Sequence, residues 1–336
     1  MLYLRLFIYQ RHSERARETH RRRFIKTAAV AGLAAGIDPT LAVAPVELPR
    51  RRLGRTGEEL SIVGFGGIVV LNKEQQHADR SVARAVEEHG INYFDVAPSY
   101  GNAEERLGPA LEPYRKDSFL ACKTTERSAE GAQRELHASL KRMRTNYFDL
   151  YQLHAIKSLE DVEKAFGPGG AMEAFVKARE EGKVRFLGFA AHGVDAAMAA
   201  MERFDFDTTL FPINYALWTK ENFGPQVVGL ARERGMGILV LKGLGRGSWK
   251  EGMEHHHSPC WYEPIVDREE ARLAFSFAMS QGATALVPPG NEELFWMAVD
   301  IASQMQPMTR ATEQRLRQLT AEARPLFRYS SIEKEG

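Results

Sequence analysis

INYFDVAPSYGNAEERLGPALEPYRKDSFLACK, residues 91–123, holds a short apolar run, a loop, an amphipathic stretch and a second short apolar run. The first run, INYFD (91–95), ends on Asp95; the second, SFLACK (118–123), ends on Lys123. Between them AEERLGPALEPY has helical spacing, and Asn102 with Glu105 three residues later predicts a capping box at its start. A strand, a helix and a strand in this order form a right-handed crossover between parallel neighbours. DLYQLH (149–154) repeats the theme and ends on His154. Neighbouring parallel strands lie roughly 4.8 Å apart, so the ends of these three runs meet at one mouth.

The alternation extends in both directions. RRLGRTGEELSIVGFGG (51–67) reads as a short hairpin leading into a first strand, and HADRSVARAVEEHG (77–90) is an amphipathic helix with a glycine stop. SAEGAQRELHASLKRM follows the second run, and one helical region runs from about Leu159 to Glu181. The runs 184–190, 208–213, 237–242 and 283–289 each precede a further helical stretch. With the run at 61–67 these make eight strand–helix units over roughly 240 residues, the number and size of a (β/α)₈ TIM barrel. No shift in composition divides residues 45–330, which are read as one domain.

Lys and Arg total 45 against 44 Asp and Glu, a formal charge of +1. This balance carries no nucleic-acid footprint and no polybasic membrane signal. Cys122 and Cys260 are too few for a disulfide framework or a cysteine-held cluster, and Cys122 reads as a small core residue. His255, His256, His257 and Cys260 lack the spacing of a known metal site, so no metal is assigned. Their loop instead rims a pocket, with Trp249, Trp261 and Tyr262 as apolar walls.

Reducing a carbonyl with a hydride leaves an oxyanion that must be protonated. Tyr100, in the loop after Asp95, can donate that proton, but a phenol of pKa about 10 exchanges slowly near neutrality. Lys123 as an ammonium would lower it, Asp95 would keep Lys123 charged, and His154 would orient the substrate oxygen. Taken singly, each residue fits a barrel ion pair or a packed aromatic equally well; together they point to a reductase.

The stretches GFGG (64–67), FDVAPSYGNAEERLGPAL (94–111), ACK (121–123), DLYQLH (149–154), GKVRFLGFAAH (182–192) and INYAL (213–217) resemble the aldo-keto reductase family in content and order. The resemblance implies a barrel oxidoreductase that interconverts a carbonyl and an alcohol with NADPH or NADH. Asp95, Tyr100, Lys123 and His154 then form the catalytic set, with Tyr100 as general acid. Tyr215 matches the residue that stacks on the nicotinamide, and Gly66 and Gly67 lie beside cofactor and substrate. LKGLGRGSWK (241–250) would cradle the pyrophosphate through Lys242, Gly243, Leu244, Gly245 and Arg246, with Gly290 in the loop after the eighth strand.

The chain departs from the family on the cofactor side. Ala190 and Ala191 stand where the family has Ser and Asn, and Pro212 where it has Gln; His192 or Asn214 could replace them. VPPGNEELFWMAVD carries no basic residue for the 2′-phosphate of NADPH, and Glu292 and Glu293 would repel one, so NADH competes. A helix start near Asn291 offers its dipole to a phosphate. These departures keep open a silent nucleotide- or ligand-binding barrel, and the histidine run a metal-dependent hydrolase.

HRRRFIK (20–26), followed by TAAVAGLAAGI (27–37), resembles a twin-arginine export signal, which makes residues 1–44 a leader. The apolar part is shorter than the about 20 residues a stable membrane span needs. The resemblance implies the twin-arginine machinery as a partner and a periplasmic or other extracytoplasmic location. Pro45 would hinder cleavage after Ala42-Val43-Ala44.

Overall fold

A computed structural model of the chain describes residues 47–329; the leader at 1–44 lies outside the described residues. Eight parallel strands build the fold. They are β1 (Phe65–Gly66), β2 (Tyr93–Asp95), β3 (Phe119–Thr124), β4 (Phe148–Ile156), β5 (Val184–Ala191), β6 (Thr208–Pro212), β7 (Gly237–Leu241) and β8 (Ala285–Val287). They follow one another in chain order across a single sheet. A parallel bridge between Val63 and Leu286 brings the two edges together, and the sheet is a nearly closed α/β barrel.

Strand alternation separates two cores. Tyr93, Phe119, Ala121, Leu150, Ala190, Leu210, Leu239 and Ala285 point inward and fill the barrel. Phe94, Leu120, Cys122, Tyr151, Phe189, Phe211, Val240 and Leu286 point outward and meet the helices. The predicted hairpin pairs Arg50–Arg52 with Glu59–Ser61. It places Leu53 and Leu60, both without exposure, among the inward residues. Arg51 donates to the carbonyls of Met279 and Ala283 at 2.8 and 2.9 Å, which ties the hairpin to the turn before β8. That end of the barrel is thereby closed, and the C-terminal ends of the strands form the open mouth.

Local chemistry explains where the helices differ from the predicted ones. The region 159–181 is two helices, Leu159–Phe166 and Ala171–Glu180, because Gly167-Pro168-Gly169-Gly170 interrupts it. After β6 an additional short helix, Tyr215–Lys220, is capped by the side chain of Asn214. Asn102 forms no side-chain cap; its Oδ1 accepts from the backbone of Asn72 at 2.8 Å, so the capping box is not formed. A last helix, Arg310–Leu319, was not predicted. Among the described residues no helix is long and apolar enough to cross a membrane.

Candidate active site

Asp95, Lys123 and His154 reach the mouth by simple register. Asp95 lies two residues beyond Tyr93 and Lys123 two beyond Ala121, so both continue the inward face of their strands. His154 continues β4 in the same way, four residues after the inward Leu150. All three line one cavity of about 390 Å³ together with Tyr100. Ala190, Leu210, Leu241 and Val287 form its apolar floor, and Trp261, Tyr262 and Cys260 its wall.

Lys123 is without exposure and Asp95 only 3% exposed, and they form an ion pair. Lys123 also donates to the carbonyl of Val96 at 3.3 Å, and Tyr93 donates its hydroxyl to Asp95 Oδ2 at 3.2 Å. A buried pair of this kind is tolerable because each charge has its partner and a further hydrogen bond. The Lys123 Nζ lies 5.3 Å from the centre of the Tyr100 ring. The His154 ring meets Tyr100 edge to face at 5.7 Å.

The electrostatics differ from the expected ones at Tyr100. Burial raises its phenol above the usual tyrosine value, and Lys123 opposes that rise without reversing it. Tyr100 therefore stays protonated through neutrality, ready to give a proton. Burial works to lower the Lys123 ammonium, but Asp95 and Tyr100 hold it above the ordinary lysine value. Burial and then Lys123 push His154 down to about 2, which makes it a neutral imidazole. Its Nδ1 lies 3.4 Å from Ser99 Oγ, and both residues line the cavity.

The predicted cofactor residues divide. Gly66, Gly290 and Lys242 line the cavity that holds Asp95, Tyr100, Lys123 and His154. A Cβ on Gly67 would approach within 2.7 Å of Val96, and one on Gly243 within 2.6 Å of Leu286, so these two serve packing. Leu244 is buried at 1% exposure, and Gly245 accepts from the Asn214 amide. Tyr215 does not line the cavity. The turn into its short helix sends the ring against Phe277 at 4.9 Å, and its hydroxyl lies 3.3 Å from Arg317 Nε. Arg246 faces Glu263 and Glu270 at 3.8 and 3.7 Å, so it offers no unpaired charge to a pyrophosphate.

A second cavity, about 670 Å³, adjoins the first. The two share Ile68, Pro259 and Gly290 as lining residues. Glu292, expected to repel phosphate, is held by His77 at 2.8 Å and Lys73 at 3.4 Å. Asn291 spends its side chain on capping the helix Glu292–Ser303. His256 and His257 line the second cavity, whereas His255 stacks on Trp249 at 4.6 Å. Among the described residues no three His, Cys, Asp or Glu side chains converge as metal ligands. Cys122 packs in the outer core, where burial raises its thiol well above the usual value.

Ser99 and Phe327 also belong to the site region. Phe327 stacks on His192 at 5.3 Å and on Phe223 at 5.4 Å. It follows the last helix and has no periodic signal in the sequence.

A TIM barrel carries its site at the C-terminal ends of its strands, and here an acid, a phenol, an ammonium and a neutral imidazole share that mouth. The sequence pattern of the aldo/keto reductase family matches residues 63–295, and the chain belongs to that family. It is 32% identical over 214 residues to "Probable aldo-keto reductase 1" of Glycine max, covering 58% of this chain and 59% of that one. It is 28% identical over 250 residues to the L-galactose dehydrogenase of Arabidopsis thaliana, covering 69% of this chain and 76% of that protein. Its fold is similar to that of the holo form of an aldo-keto reductase from Bacillus halodurans. The TM-score is 0.63 at 21% identity, over 86% of this chain and 100% of the other.

Proposed function

We propose that the protein is a nicotinamide-dependent oxidoreductase that interconverts a small carbonyl compound and its alcohol, with Tyr100 as the proton donor. The observation that carries this reading is the convergence of Asp95, Tyr100, Lys123 and His154 in one cavity. The two adjoining cavities fit an elongated dinucleotide, with Gly66 lining the inner one and Gly290, packed against Ile68, lining both. When bound, the nicotinamide supplies the hydride. Every remaining task falls to the chain. The neutral imidazole of His154 orients the carbonyl oxygen, and the Tyr100 phenol protonates the oxyanion as it forms. Lys123 stabilises the phenolate left behind, and Asp95 keeps Lys123 charged for that purpose. The apolar floor limits water around the developing charge.

NADPH is the family's expected donor, and NADH is a serious competitor because Lys73, a cation lining the outer cavity, is paired with Glu292. Titrating the purified protein with each nucleotide, followed by tryptophan quenching, separates them. Turnover is tested with aldehydes, ketones and sugars in the wild type and Tyr100→Phe. If neither nucleotide binds and the two proteins behave identically, the reading fails. Binding without turnover across the panel would favour the silent barrel, to which Ala190 and Pro212 in place of polar anchors lend support.

Export by the twin-arginine route to the periplasm is proposed from HRRRFIK (20–26). Cell fractionation of the R21K/R22K variant is expected to find it retained in the cytoplasm; undiminished export would refute the assignment.

A further inference from the structure

Lys242 has no task in the mechanism above, yet it shares the catalytic cavity. Alternation along β7 turns Leu241 inward and would direct the next residue away. Lys242 lines the cavity all the same, and its backbone adopts a left-handed φ of 59° there, a conformation that costs energy in a residue bearing a side chain. The residue is 9% exposed. Asp95, the one carboxylate among the described residues that line the cavity, is already bound to Lys123. The partner of Lys242 Nζ is the neutral His192, Nε2 at 3.3 Å. The rings of Trp261, Tyr262 and Phe327 lie 5.1, 5.9 and 5.9 Å from it. Aromatic faces attract a cation but do not cancel its charge. With Asp95 and Lys123 balancing each other, a protonated Lys242 leaves the described lining of the cavity one positive charge in excess, and such a charge is relieved by an anion.

We propose that Lys242 receives a carboxylate carried by the carbonyl substrate, which makes oxo acids and the matching hydroxy acids the substrate class. This rests on the reductase reading. The carbonyl end then faces Tyr100 and His154, on the loop after β2 and on β4, while the acid end faces Lys242 after β7 and His192 after β5.

The pH dependence follows from the groups around Lys242. Burial, and secondarily Lys123, lower its ammonium to about 7. His154 and His192 lie at about 2 and about 3 and are neutral throughout. Tyr100, Tyr262, Cys260 and Lys123 are all raised above their ordinary values. Lys242 is therefore the group in this set that changes charge near neutrality. A carboxylate binds its protonated form, so kcat/KM for an acid substrate falls as pH rises through about 7, while a neutral substrate shows no such limb.

The test compares para-carboxybenzaldehyde with benzaldehyde, using the full chain and saturating nucleotide, for wild type, Lys242→Met and Lys242→Arg. Methionine removes a buried cation that has no carboxylate partner among the described residues, so the variant is expected to fold. The expected result is a roughly ten- to hundredfold fall in the ratio of kcat/KM for the acid over the neutral aldehyde in Lys242→Met, mainly through KM. Lys242→Arg is expected to recover part of it. Benzoate binding, read by tryptophan fluorescence, needs no turnover. Lys242-dependent benzoate binding in a protein that reduces nothing would sink the reductase reading and leave the carboxylate site standing. An unchanged ratio overturns the proposal. Weakened nucleotide binding in Lys242→Met also overturns it, by assigning the lysine to the cofactor.

Discussion

Replacing Lys123 by Met separates what the buried ion pair does for folding from what it does for chemistry. Lys123 and Asp95 are exposed by 0% and 3%. After Lys123→Met, the Asp95 carboxylate keeps the Tyr93 hydroxyl at 3.2 Å as a partner but loses its counter-charge. Breaking one side of such a pair costs about 3–5 kcal/mol, and Asp95→Asn, which strands the ammonium, should cost a similar amount. The double variant D95N/K123M strands no charge. Its loss should fall short of the summed single losses by several kcal/mol, since replacing a buried pair outright is often about neutral. Guanidinium denaturation followed by far-UV circular dichroism measures all four proteins. Activity should behave differently. Lys123→Met and the double variant should both lose about 10²–10⁴ in kcat/KM, the usual weight of assisted proton transfer. In both, any alkaline limb of the pH profile should move upward, because Lys123 is what restrains the rise of the Tyr100 phenol. Additive stability losses would refute the coupling. Recovery of activity along with stability would reduce the pair to a structural ion bridge.

Tyr100→Phe should cut turnover by about 10²–10⁴ with nucleotide affinity unaltered, measured by steady-state kinetics and fluorescence titration. Reduction of a neutral aldehyde by the wild type should decline only above the ordinary tyrosine range, since burial raises the Tyr100 phenol and reduction needs its protonated form. Folding stability should fall as pH drops below about 6.5, where the unfolded chain takes up protons that His154 and His192, held at about 2 and about 3, refuse. The slope, about 1–3 kcal/mol per pH unit for the two, should shrink in H154N/H192N; an identical slope would contradict their assigned neutrality. Asn291→Ala should destabilise by about 1 kcal/mol through loss of the cap on Glu292–Ser303, read from a denaturation midpoint.

What could be read from the sequence had a geometric limit. Inside a strand, alternation fixes where a side chain points, so Asp95, Lys123 and His154 were legible as a group from their positions at the ends of apolar runs. One residue past the strand, the rule lapses. Lys242 expects an outward direction by alternation and reaches the cavity with left-handed backbone instead. Tyr215 follows Asn214, whose side chain starts a helix on the spot and carries the phenol to Phe277. Long-range pairing escaped for a different reason. Arg246 meets Glu263 and Glu270, and Glu292 meets His77, partners separated by up to 215 positions. Local composition showed a basic loop and a bare acid, where the fold has compensated pairs. A local reading therefore misjudges charge near a site in a definite direction: it overstates every cation or anion whose partner arrives from another strand end. Lys242 is the exception that tests this reasoning, because among the described residues the carboxylate lining its cavity is already bound to another lysine.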